Sequence, residues 1–380
     1  MLDAWRDYLM KELQLILETL ANRKNEKMIL ATVVDVIGSG YRRAGARMLI
    51  DSNGYSIGTI SGGCLEADVL ERAKRVLQSG EPTVITYDTT SDEKSLFGLG
   101  MGCRGIVRVL LEAATKESDI FKSFARAVDN REREVVATLI SSGANQIIGG
   151  RIFYNQADQF SFTNLSDSFN DSERLNDDCR KIFDGAEKSI VQFYETGAGA
   201  AEFFIERIEP PLNLLLFGAG FDALPVGRFA KELGWRTIVI DHRAAFANRD
   251  RFPEAEEIIV QRAEDLPAEL FKDKNSAAVV MTHNYERDRE ILHRLLNSSC
   301  RYIGALGPKK RAENLIQELR DEGRFFNENK LIQIHAPIGL NIGAETPEEI
   351  ALAIVAEIKT TLANRDGGFL RERNKPIHNS

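Results

Sequence analysis

Cysteine is scarce in this 380-residue chain: four residues, at 64, 103, 179 and 300, with no CxxC pair among them. So few thiols in so long a chain are far from a disulfide framework, and their spacing gives a structural zinc site no support. Positive charge is not in excess either. Lys and Arg number 49 against 57 Asp and Glu, a net charge of -8 with an isoelectric point near 5.4. No general attraction to nucleic acid or to an anionic membrane is expected. No apolar run approaches membrane-spanning length. The opening Met1-Leu2-Asp3-Ala4-Trp5-Arg6-Asp7 lacks the basic-then-apolar plan of a signal peptide. The expected location is a reducing cytoplasm, where thiols stay free.

What the chain does have is length and 43% hydrophobic residues, enough for two ordinary domains with real cores. In the first half, apolar positions at helical spacing predict an opening amphipathic helix, then a buried strand over 28–37 and a hairpin around Asp51-Ser52-Asn53-Gly54. A helix follows from Gly63 to Gly80, with strands at 83–87 and 106–111. A helix is expected next, then strands at 134–141 and 147–154, a polar surface excursion over 158–178 with a short helix after it, and a strand at 201–208. Glu209-Pro210-Pro211 punctuates the chain, because proline disfavours helix before it and ends regular structure. Beyond it, strands at 213–217, 237–240, 257–260, 277–282, 301–305 and 331–334 alternate with helices. The fold class is therefore α/β: a mixed α+β domain over 1–209, a doubly wound parallel sheet of Rossmann type over 210–364, and a polar tail over 365–380.

Two glycine-dense segments carry a thiol. Phe97-Gly98-Leu99-Gly100-Met101-Gly102-Cys103-Arg104-Gly105 lets backbone approach a ligand closely, and Arg104 favours the thiolate that binds metal or attacks sulfur. Cys64 has a similar setting in Ser61-Gly62-Gly63-Cys64-Leu65-Glu66. The plainer reading makes both cysteines small hydrophobes beside tight turns. In the second half, Leu214-Leu215-Leu216-Phe217 runs into Gly218-Ala219-Gly220-Phe221-Asp222-Ala223, a strand, a GxGxxA turn and a helix start suited to phosphate. Asp241, at the end of the next strand, stands where a carboxylate takes ribose hydroxyls. The competing reading is a degenerate Rossmann domain that binds nothing tightly. Arg42, Arg43 and Arg47 are candidate phosphate ligands, set against a solvated basic loop. His283 is the histidine placed to touch ligand, and Lys309 and Lys310, with Arg311, are candidate partners for an anion.

Taken together, Gly38–Arg47, Ser61–Glu66 and Phe97–Gly105, with Gly218–Pro225, Thr282–Leu292, Tyr302–Arg311 and Ala336–Glu349, resemble the XdhC/CoxI family of accessory factors for molybdenum hydroxylases. The resemblance implies a chaperone that binds molybdenum cofactor, supports its sulfuration and delivers it to a client such as xanthine dehydrogenase. It places the family's glycine-flanked cysteine at Cys103, as a molybdenum ligand, with Cys64 as the second candidate. Arg104 departs from the glycine the family usually carries there. A client hydroxylase and a cysteine desulfurase are the implied partners, and a homodimer the expected assembly. Because the mononucleotide cofactor has no ribose, Asp241 suggests a ribose-bearing ligand: the cytidine dinucleotide form of the cofactor, or NAD(P). The competing readings are an NAD(P)-dependent oxidoreductase and a scaffold with no cofactor role.

Overall fold

The computed structural model describes residues 6–23, 26–88, 105–143, 147–157, 159–165, 173–185, 187–196 and 199–374. Two compact units divide the chain, one from Glu12 to Pro210 and the other from Pro211 onward together with the residues up to Lys11, so that the first turns of the opening helix count with the second unit.

In the N-terminal unit, α1 (Arg6–Asn22) precedes β1 (Met28–Gly38), β2 (Arg47–Ile50), β3 (Ser56–Gly58), α2 (Glu66–Ser79), β4 (Thr83–Asp88) and β5 (Gly105–Ala114). These strands form one antiparallel sheet in the order β3-β2-β1-β5-β4. The β2–β3 turn is closed by Asp51, whose Oδ1 accepts from the amides of Asn53 and Tyr55 at 2.9 Å each. Next come α3 (Asp119–Asp129), β6 (Glu134–Ser142), β7 (Arg151–Asn155), β8 (Phe160–Thr163), α4 (Glu173–Asp184), β9 (Ser189–Thr196) and β10 (Gly199–Ile208). They build a second antiparallel sheet, β8-β7-β6-β10-β9. Val34 and Leu110 of the first sheet pack against Ile140 and Phe204 of the second. Half-buried to buried ion pairs tie the sheets together: Arg47 to Glu206, Arg151 to Glu112, and Arg108 to Glu202 through two bonds of 2.7 and 2.6 Å. Glu12, deep in this unit, accepts from Arg42 at 2.8 Å and from the Arg47 amide.

The C-terminal unit runs β11 (Asn213–Phe217), α5 (Ala223–Glu232), β12 (Arg236–Ile240), β13 (Glu257–Ile259), β14 (Ser276–Val280), α6 (Tyr285–Leu295), β15 (Tyr302–Ala305), α7 (Lys309–Asp321), β16 (Ile334–His335) and α8 (Pro347–Leu362). Its sheet is parallel throughout, in the order β13-β12-β11-β14-β15-β16. Strand alternation sorts the core onto two faces. Leu214, Leu216, Val239 and Val279 pack with α5 and α8, whereas Leu215, Phe217, Ile240 and Val280 pack with α6 and α7. This is the doubly wound arrangement. The α8 start carries its full capping box, Thr346 with Glu349.

Two local expectations fail. The strand expected at 331–334 is mostly a 3₁₀ turn, Glu328–Gln333, begun by the Asn327 side chain accepting from the Asn329 amide. Ile332 is left 87% exposed there, while Leu331 and Ile334 pack beside Leu296, Leu319 and Phe326. The excursion expected over 158–178 contains β8 and the first turns of α4, and β9 went unexpected; β8 and β9 are the two edges of their sheet.

Candidate functional site

In the parallel sheet, every strand ends on the same edge, and chain direction across the sheet reverses between β11 and β14. Loops at such a switch point open a crevice suited to a ligand. The glycine turn lies there. Gly218 has φ of +105°, and a Cβ on it would stand 2.5 Å from the Met281 carbonyl oxygen, so only glycine fits between β11 and the end of β14. Across the crevice, His283 holds a left-handed backbone, φ +58°, which is unusual for a side chain of this size. Its ring reaches Asp222, with Nε2 2.7 Å from Oδ2. The imidazole remains 60% exposed. Gly218, Gly220, Asp222, Asp241 and His283 are thus brought together.

Asp241 does something other than wait for a ligand. Its side chain is 3% exposed, and Oδ2 accepts from the Ala219 amide at 2.9 Å and from Arg243 Nη2 at 2.7 Å. Oδ1 accepts from the Arg243 amide at 2.9 Å and from its Nε at 3.0 Å, with His242 Nδ1 also 3.0 Å away. Burial alone would raise this carboxyl; the Arg243 and Ala219 hydrogen bonds outweigh it and hold it at about 2. The lone pairs that spacing assigns to a ribose are therefore engaged by the turn and by Arg243.

The residues that sequence reasoning missed sit beside this carboxylate. Arg251 reaches back to the glycine turn, donating from Nη2 to the carbonyls of Ala219 at 3.2 Å and Gly220 at 3.3 Å. Its guanidinium lies over Phe221 and Phe246, and Arg243 lies over Phe246 as well. Nothing in the local sequence separates Arg251 from Arg249, which closes its own loop on the carbonyls of Ala255 and Glu256. Only the folded path of the chain does. Lys309 and Lys310 stand exposed at the start of α7. Arg311 is turned inward to buried Asp288, at 2.8 Å.

In the N-terminal unit, Cys64 is exposed, just before α2. Its loop is pinned by Ser61 and Glu66: the Ser61 amide donates to Glu66 at 2.8 Å, the Ser61 hydroxyl donates to the same carboxylate, and Ser61 Oγ accepts from the amides of Gly63 and Leu65. This ladder delays the helix start from Gly63 to Glu66. A Cβ on Gly62 would lie 3.3 Å from the Tyr41 ring, so glycine lets that exposed tyrosine cover the loop. Cys103, Gly100, Gly102 and Arg104 lie outside the described residues. The strands flanking that segment are described: Asp88 pairs with Ile106, and Gly105 pairs with Gly38. A Cβ on Gly105 would meet the Ser39 carbonyl oxygen at 2.6 Å. The 38–41 turn therefore touches both the Cys64 loop and the strand that leaves the Cys103 segment.

The three arginines considered for phosphate separate here. Arg42 is buried, donating to Glu12 and to Thr59 at 2.8 Å each. Burial pushes the Glu12 carboxyl up to about 7, against the pull of Arg42. Arg47 is likewise buried, with Glu206. Arg43 is half-buried, has no acidic partner among the described residues, and is pushed down from its ordinary value by burial. Among the described residues, no group of three or more His, Cys, Asp or Glu is placed to hold a metal ion, and no helix is long and apolar enough to cross a membrane.

Comparison with known proteins finds matches in both halves of the chain. Residues 214–358 match the XdhC Rossmann domain, and residues 21–88 match the XdhC and CoxI family. A probable xanthine dehydrogenase subunit from Bacillus subtilis is 34% identical over 338 residues, 88% of this chain and 93% of that protein. The molybdenum cofactor insertion chaperone PaoD of Escherichia coli is 22% identical over 340 residues, 89% of this chain and 84% of that protein. A crystal structure of a xanthine dehydrogenase from Bacillus halodurans superposes with a TM-score of 0.74 at 31% identity, covering 93% of this chain and 96% of that one. The chain belongs to the XdhC and CoxI family.

Proposed function

We propose that this protein is a maturation factor that binds molybdenum cofactor as cargo, supports its sulfuration and passes it to a xanthine-dehydrogenase-type molybdenum hydroxylase. The observation that carries the reading is similarity along nearly the whole chain to a molybdenum cofactor insertion chaperone, alongside a relative described as belonging to xanthine dehydrogenase. The residues fit such cargo in kind. An exposed cysteine on a loop held by Ser61 and Glu66 offers a soft donor for molybdenum or an acceptor for sulfur, and Arg43 offers a cation beside the same turn. Cys103 is the first thiol assigned this role and Cys64 the second. Sulfur for the cofactor would come from a cysteine desulfurase, in the cytoplasm, and a homodimer would match a client of two-fold symmetry.

Hydride transfer on NAD(P) finds less support, because Asp241 is engaged by Ala219 and Arg243. The delivery reading is tested by adding the cofactor-loaded chain to molybdenum-free hydroxylase. Recovery of hydroxylase activity beyond that given by free cofactor is expected. Equal recovery with and without the chain contradicts the proposal.

A further inference from the structure

We propose that the C-terminal unit recognises a phosphorylated ligand through Arg251 and Arg243, and that Asp241 holds Arg243 and the glycine turn in place instead of reading a ribose diol. The inference rests on taking the glycine turn as a ligand site. Arg243 and Arg251 place their guanidinium carbons 4.2 and 4.9 Å from the centroid of one ring, Phe246, and Arg251 also lies 4.7 Å from that of Phe221. Stacking, not charge pairing, therefore positions Arg251. Its hydrogen bonds to the Ala219 and Gly220 carbonyls are long, its Nε is buried without a partner, and no carboxylate pairs with it among the described residues. Arg243 is balanced by Asp241, so Asp241, Arg243 and Arg251 together carry one net positive charge.

Adjacent His242 senses a cationic setting. Burial lowers its basicity first, and Arg287, Arg243 and Arg262 lower it further, against the pull of Asp241. A neutral diol gains little from such a cluster, whereas a phosphoryl group matches the fork geometry of guanidinium donors. Phe221, 74% exposed beside Arg251, gives a flat ring a surface for stacking. Two sources carry this chemistry: the phosphate of a pterin and an extra phosphate on a nucleotide.

Calorimetric titration of the full chain with two matched pairs of probes separates them. One pair is NADP and NAD, which differ by a phosphomonoester; the other is an oxidised pterin monophosphate and its dephosphorylated form. In at least one pair the phosphorylated member should bind about tenfold tighter or better, as charge-assisted bonds to a dianion require. The pair that shows this preference names the source. Arg251→Gln should bring the phosphorylated member down to the affinity of its partner, and Arg251→Lys, which keeps the charge, should retain part of the preference. Equal affinity within both pairs, binding of no probe, or a preference that survives in Arg251→Gln would overturn the inference. Molybdenum content reads the delivery function separately. Protein that discriminates phosphate but retains no molybdenum would contradict delivery and leave this inference standing.

Discussion

At the scale of single residues, position and role part company. Asp241 stands where the fold's ligand-binding acids stand, yet its environment makes it a clamp on the glycine turn. Because its folded carboxyl is held at about 2, below the ordinary 3.8, its stabilisation is complete above pH 3.8 and is lost as pH falls towards 2. The shift corresponds to about 2 kcal/mol. Asp241→Asn should accordingly lower the thermal midpoint of the full chain at pH 7 and shrink the difference from wild type towards pH 2. A constant difference across that range would contradict the clamp. Arg42 makes the opposite lesson. From sequence it was a candidate for phosphate, but the fold encloses it with Glu12. Removing the acid in Glu12→Ala takes the carboxylate from a buried guanidinium, and chemical denaturation should show a loss of about 3–5 kcal/mol. A loss under about 1 kcal/mol would mean the pair is exposed to water in solution.

At the scale of elements, legibility follows burial. The central strands β11 and β14 are buried on both faces, so they read as unbroken apolar runs bounded by glycine and polar turns. Edge strands have no such signature. β8 lies inside a stretch rich in Asn, Asp and Ser, and β9 leaves Phe193 62% exposed, so neither meets the rule that finds central strands. The GxGxxA turn was legible because its glycines answer to backbone geometry. Gly218→Ala would force a Cβ against the Met281 carbonyl at a positive φ, and a loss of at least about 2 kcal/mol is expected in a denaturant titration. Arg251 was not legible, because its role depends on which loop returns to the turn, and local sequence does not encode that.

At the scale of the whole molecule, two units carry different chemistry: thiols and Arg43 in one, a cationic aromatic cluster beside a glycine turn in the other. The order of their motifs along the chain was enough to recognise the family, because loops that hold a ligand constrain residue identity more tightly than packing does. The most direct test is the molybdenum and pterin content of anaerobically purified protein after incubation with cofactor, in wild type, Cys103→Ala and Cys64→Ala. The account predicts near-stoichiometric retention by wild type and its loss in Cys103→Ala. Retention by none of the three would contradict cofactor binding itself, and full retention in Cys103→Ala would remove that thiol from the site.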